Sequence, residues 1–156
     1  PACANYTGQI EPQVIENLIK PGQVHYIFRQ FPVLDDRLGG GESDQAANAS
    51  MCAAEQDRFW DYHDTVYANW DGENQGAYRD ARLLAFAESL DLNMDQFRSC
   101  FSANKYKDEI KADLDRGTQM GVQGTPSVFV NGELLTPGFV PTYEQIAEAV
   151  QKNLPQ

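Results

Sequence analysis

The sequence predicts an α/β fold in which a block of helices is inserted into a small sheet-bearing domain. Three observations predict it. The β-rich runs lie far apart, at Val24–Phe28 and Val128–Val130, and the stretch between them reads as helix. Asn131-Gly132 stands between two short apolar runs, the strongest short-range hairpin signal, because both residues accept positive φ in a tight turn. The resulting order of helix, strand, helical block, hairpin and helix is that of a domain interrupted by an insertion.

Composition narrows the class. The 156 residues are 42% apolar and 11% aromatic, which excludes a disordered chain and suits a real core. A net charge of −11 argues against nucleic acid or an anionic membrane surface as partner. No apolar run approaches the ~20 residues of a membrane span. The chain opens on Pro1-Ala2-Cys3 with neither a basic region nor an initiator Met, so a mature fragment is expected.

The first helix is expected over about 2–20. Cys3, Tyr6, Ile10, Val14 and Leu18 share one stripe of a 3.6-residue period. Pro12 should kink it, and Lys20-Pro21-Gly22 should end it. Val24–Phe28 follows as a strand. Asp35-Asp36-Arg37 reads as a solvated turn, and Gly39-Gly40-Gly41 as a hinge between domains.

Ser43 or Asp44 is expected to cap a long helix reaching about Trp70. Cys52, Phe59, His63, Val66 and Trp70 share its inner face, while Trp60 and Tyr67 lie opposite, so it should be covered on more than one side. His63 reads as a core histidine and His25 as a sheet- or solvent-facing one. Asp57, Asp61 and Asp64 read as helix surface. A helix over about 78–90 buries Leu83, Phe86, Ala87 and Leu90. Asn93 with Gln96 is spaced as a capping box for the next, and another runs over about 105–120. After the hairpin, Thr142 with Gln145 repeats the capping-box spacing and starts a final helix docked through Ile146, Ala147 and Val150. These elements divide the chain into a discontinuous domain, 1–38 with 117–156, and an inserted helical domain, 39–116.

Four short stretches carry a resemblance. They are Pro1-Ala2-Cys3 at a helix start, Phe28-Arg29-Gln30-Phe31-Pro32, Phe59-Trp60-Asp61-Tyr62-His63-Asp64, and Gly124-Thr125-Pro126 before the hairpin. In this order the chain resembles the DsbA-like thiol–disulfide oxidoreductases, whose thioredoxin-like fold carries an inserted α-helical domain. The resemblance implies that Pro1-Ala2-Cys3 ends a Cys-Pro-Ala-Cys motif whose first Cys precedes Pro1. Cys3 would then be the resolving cysteine, and Thr125 and Pro126 would bind an extended client segment. It implies a structural disulfide between Cys52 and Cys100, the alternative being two buried thiols. It also implies that an N-terminal strand is missing from this chain, leaving a gap between Val24–Phe28 and Val128–Val130.

The expected activity is oxidation or exchange of disulfides in exported proteins. The expected partners are client proteins with thiols or disulfides and a membrane or soluble redox partner. No cofactor, metal or nucleic acid is expected. The place is extracytoplasmic, the periplasm or cell envelope, with any anchor upstream of Pro1. Two other readings share the architecture: a non-catalytic thioredoxin-fold module that holds a peptide near Thr125-Pro126, and a glutathione-dependent transferase or isomerase. The residue before Pro1 separates all three. Alkylation of the unfolded chain tests the cysteine assignment: one label before reduction and three after are expected by mass, and three labels both times would remove the disulfide.

Overall fold

The computed structural model describes residues 1–38 and 41–155. In chain order the elements begin with α1 (Ala2–Asn5), a wide helical segment Tyr6–Ile10, α2 (Glu11–Val14) and a second wide segment Ile15–Ile19. Then come α3 (Val33–Leu38), α4 (Glu42–Ala54), α5 (Phe59–Ala68), α6 (Asp80–Ser89), α7 (Met94–Ser102) and α8 (Lys107–Gln119). The hairpin β1 (Phe129–Val130) and β2 (Glu133–Leu134) and the helix α9 (Tyr143–Asn153) follow. The chain forms two compact units, Pro1–Arg29 with Thr118–Gln156, and Gln30–Gly117. Residues 30–38, placed with the first domain from sequence, cluster with the helical unit.

In the first unit the chain is helical from Ala2 to Ile19, as the stripe requires. Pro12 leaves its mark as a change of winding. It has no N–H to donate, and its ring would crowd the carbonyl four residues back. The preceding turn widens, so that the Glu11 N–H donates to the Tyr6 carbonyl. The same widening recurs where the Lys20 N–H donates to the Ile15 carbonyl, 2.9 Å away. Gly22, at φ +76°, ends the helix, with the Gln23 N–H donating to the Leu18 carbonyl at 3.0 Å.

Tyr6, Val14 and Leu18 from this helix meet Ile146 and Val150 from α9, flanked by Val24, Val128, Val130 and Leu135. The hairpin pairs Phe129 with Leu134 and Val130 with Glu133 across Asn131 (φ +48°) and Gly132 (φ +86°). Thr142 and Gln145 form the full capping box at the start of α9. Val24–Phe28 differs from expectation. Its residues alternate between half-buried and exposed, yet the sheet among the described residues consists of β1 and β2. Alternation is a property of side chains, whereas a strand needs a neighbouring backbone alongside.

In the helical unit the single long helix expected to Trp70 is two helices. Asp57 adopts φ +58°, the Arg58 N–H donates to the Ala53 carbonyl, and the Asp57 N–H donates to the Ala54 carbonyl. These are the two bonds of a left-handed helix stop, a role Asp fills more readily than most non-glycine residues. Asp91 and Asn104 end α6 and α7 in the same way. Asp57 is therefore a terminator and not part of a helix surface. Asp35 is also more than a turn residue: its carboxylate accepts from the Ser43 and Asp44 N–H groups at 3.3 and 2.6 Å and caps α4 in place of Ser43 or Asp44. Gly41 (φ +74°) precedes α4, and the rest of the expected glycine hinge, Gly39-Gly40, lies outside the described residues. Asn93 caps α7 by accepting from the Gln96 N–H, but its own N–H donates to the Gln56 side chain rather than to Gln96.

The core of this unit gathers Cys52, Tyr62, Leu83, Phe97, Cys100 and Phe101. Tyr62 and Phe97 are both at 0% exposure, with ring centroids 5.7 Å apart. The Tyr62 hydroxyl donates to the Leu83 carbonyl at 2.9 Å, which satisfies the buried phenol. Phe97→Ala should cost about 3–5 kcal/mol through the cavity it leaves. Tyr62→Phe should cost about 1 kcal/mol for a lost hydrogen bond. Urea unfolding of both variants checks the order, and equal costs would show that packing around Phe97 does not carry the core.

Candidate active site

Cys3 stands in the first turn of the first unit's helix, half-buried and outside any disulfide. The Asn5 N–H already donates to the Pro1 carbonyl at 2.9 Å, so the turn is formed from the first residue onward. The unpaired N–H groups of a helix start favour a thiolate there. Pro1 and Ala2 bring neither charge nor a hydrogen-bonding side chain.

Thr125 and Pro126 lie in the same compact unit, half-buried, and the peptide bond between them is cis. The loop is braced from within, the Ser127 hydroxyl donating to the Gly124 carbonyl at 2.7 Å. Pro126 enters β1 at a place where it removes no interior ladder donor.

Cys52 and Cys100 belong to the helical unit and are joined to each other, 48 residues apart in sequence, with Cα atoms 5.8 Å apart. Asn48, one turn before Cys52 and fully buried, holds the far side of this joint. Its amide donates to the Phe101 carbonyl and its oxygen accepts from the Tyr106 N–H, both at 3.2 Å. Beside Cys100, a shallow cavity of about 220 Å³ is lined by Glu55, Gln96, Ser99 and Lys105. Lys105 Nζ and the Tyr106 hydroxyl both donate to Glu55 and hold its carboxyl below the usual carboxylate range.

His63 is buried at 4% exposure, with Nδ1 2.9 Å from the Asp64 carboxylate and its ring packed among Phe59, Trp60 and Tyr67. His25 is exposed. Among the described residues no group of three or more His, Cys, Asp and Glu is placed to hold a metal, and no helix is long and apolar enough to cross a membrane.

Sequence reading missed Glu11, Tyr26 and Asn48. Glu11 is the notable one: it is at 3% exposure and accepts from the Tyr26 hydroxyl at 2.9 Å. Asn48 carried no signal, since an Asn within a helical run is ordinarily a surface residue.

A thioredoxin-like unit with a cysteine in the first turn of its helix and a cis-proline loop in the same unit, interrupted by a helical insertion, defines a class. The chain belongs to the thioredoxin family, whose model matches residues 1–152. The expected fold, thioredoxin-like with a small sheet and many helices, holds. It is shared with oxidised BdbD of Bacillus subtilis, at a TM-score of 0.76 and 22% identity over 97% of this chain and 80% of that one. A thioredoxin-like oxidoreductase from Silicibacter pomeroyi gives 0.73 and 24% over the same shares.

Among proteins of similar sequence, the probable disulfide bond formation protein D of Bacillus anthracis is 28% identical over 158 residues, 99% of this chain and 69% of that protein. The Na(+)/H(+) antiporter NhaA 3 of Salinispora tropica is 39% identical over 127 residues, 81% of this chain. The chain spans only 18% of that antiporter's length.

Opening the Cys52–Cys100 bond should cost the helical unit roughly 4 kcal/mol, the loop-closure entropy of so long a loop. Unfolding in urea with and without prior reduction measures it. An unchanged midpoint would mean that apolar packing alone holds α4 to α7.

Proposed function

We propose that the chain is a thiol–disulfide oxidoreductase acting on exported proteins, with Cys3 as the resolving cysteine of a Cys-Pro-Ala-Cys motif that begins one residue before Pro1. The observation that carries this reading is the placing of Cys3 in the first turn of a helix, within the compact unit that also holds the Thr125-Pro126 loop. The relationship to disulfide bond formation proteins along nearly the whole chain supports it.

The exchange runs in two steps. The upstream thiolate attacks one sulfur of a client disulfide, and the other client sulfur leaves as a thiolate. The Cys3 thiolate then attacks the upstream sulfur, closes the protein's own disulfide and releases the second client thiolate. Two electrons pass from the protein to the client. Oxidation of a client is the same path in reverse, and is the favoured direction. Thr125 and Pro126 present backbone groups to an extended client segment.

The first unit is then the catalytic domain and the helical unit its insertion. A strand preceding Pro1 would lie against Val24–Phe28, whose alternating exposure suits a sheet residue on either side. The Cys52–Cys100 bond supports an oxidising, extracytoplasmic setting. A membrane or soluble redox partner would restore the motif after each turnover.

Cys3→Ser in the natural-length protein, mixed with an oxidised client, tests the reading. The variant should accumulate as a covalent adduct with the client that reductant releases, because no second thiol resolves it. Turnover equal to that of the unsubstituted protein, with no adduct, would overturn the role of Cys3.

A further inference from the structure

The loop over 121–128 leads into the hairpin and carries Thr125 and Pro126. Both of its ends are anchored. The Gly121 N–H donates to the Thr118 carbonyl at 3.1 Å, and the Val128 carbonyl accepts from the Leu135 N–H at 2.9 Å. Val128 also packs against the core of Tyr6, Val14, Leu18, Ile146 and Val150.

Between these anchors the backbone of Thr125 is open. Its N–H and its carbonyl take no hydrogen-bond partner among the described residues, although the residue is half-buried. Half-buried backbone groups without a partner favour pairing with another chain. The carbonyl beside them, that of Gly124, is taken: the Ser127 hydroxyl donates to it at 2.7 Å. Pro126, between the two, has no N–H to offer. Nothing crowds Gly124, where a Cβ would meet no atom within 4 Å, and its φ lies outside the left-handed region. Neither steric crowding nor a glycine-only backbone holds the bend at Gly124, and the hydroxyl is the contact that closes it.

We propose that Ser127 is a positioning residue that sets the register of the client. By occupying the Gly124 carbonyl and closing the turn over 124–127, it leaves the N–H and carbonyl of Thr125 as the pair on which an extended client segment docks. This deepens the client-binding role given to Thr125 above and rests on it. The partner is a peptide backbone, whose own N–H and carbonyl supply the complementary groups whatever its side chains. Register matters because successive residues of an extended segment point to opposite faces. A client slipped by one residue turns its disulfide sulfur away from the protein.

The test is turnover of a short disulfide-bearing peptide by the natural-length protein, with the peptide singly N-methylated at successive backbone positions around its cysteine. In the unsubstituted protein one position, whose N–H meets the Thr125 carbonyl, should raise KM about two- to tenfold, the worth of one hydrogen bond. Ser127→Ala should raise KM for the unmethylated peptide by a similar factor with kcat nearly unchanged. It should also level the differences between methylated positions, because the freed Gly124 carbonyl becomes a second acceptor. Ser127→Thr keeps the hydroxyl and should restore both. The same methylation profile in Ser127→Ala as in the unsubstituted protein would overturn the proposal, whatever KM does. So would a flat profile in the unsubstituted protein, or a Ser127→Thr profile as level as that of Ser127→Ala, which would assign the effect to packing. Should Ser127→Ala not fold, Ser127→Val against its isosteric partner Ser127→Thr carries the same comparison. The same peptides with their cysteines alkylated report the profile by affinity alone. A profile present there while turnover is absent would sink the exchange reading and leave the register. A flat profile with turnover present would sink the register alone.

Discussion

The helical unit depends on one joint, the Cys52–Cys100 bond enclosed by Tyr62, Leu83, Phe97 and Phe101. Among its described residues this unit has no paired strands, and so no backbone ladder to fix one helix against another. Side-chain burial must do so, and short helices bury little each. The bond removes much of the freedom that α4 and α7 would regain on unfolding, and Asn48 ties the same two regions through the backbone next to Cys100. The phenol of Tyr62 extends the joint to α6 by a hydrogen bond that leaves no polar atom stranded in the core.

In the first unit the controlling constraint is proline. Pro12 lies in the middle of the helix that carries Cys3, where a missing donor and a crowded carbonyl would ordinarily break it. Here the helix survives by widening, and the change of phase alters which side chains face inward. The helix that presents Cys3 thus also delivers an acidic group, Glu11, to its own buried side.

Much of the fold was legible because it is written in local chemistry. Asn131-Gly132 makes its hairpin and Thr142-Gln145 its capping box with no help from distant residues. The family could be seen from Pro1-Ala2-Cys3, the aromatic run at Phe59–Asp64 and Gly124-Thr125-Pro126. What escaped depends on phase or on remote partners. Glu11, buried in the structure, escaped because a 3.6-residue period fails across a wide turn. The break at Asp57 was missed because an Asp can solvate a helix or end it, and only the backbone decides. Asp35 caps a helix several residues away, a pairing that no fixed spacing encodes. Val24–Phe28 has the pattern of a strand, but a ladder requires a second chain segment that pattern alone does not supply.

The discontinuity of the first unit also orders events during synthesis. Val14 and Leu18 leave the ribosome early, but their partners Ile146 and Val150 come from the other end of the chain. All of the helical unit is made in between, so its core can close and Cys52 can meet Cys100 while the Cys3 helix still lacks α9. During that interval the apolar stripe of Tyr6, Val14 and Leu18 still lacks its partners Ile146 and Val150. The locally connected helices of the insertion can therefore close first, and the first unit becomes complete only with the last helix of the chain.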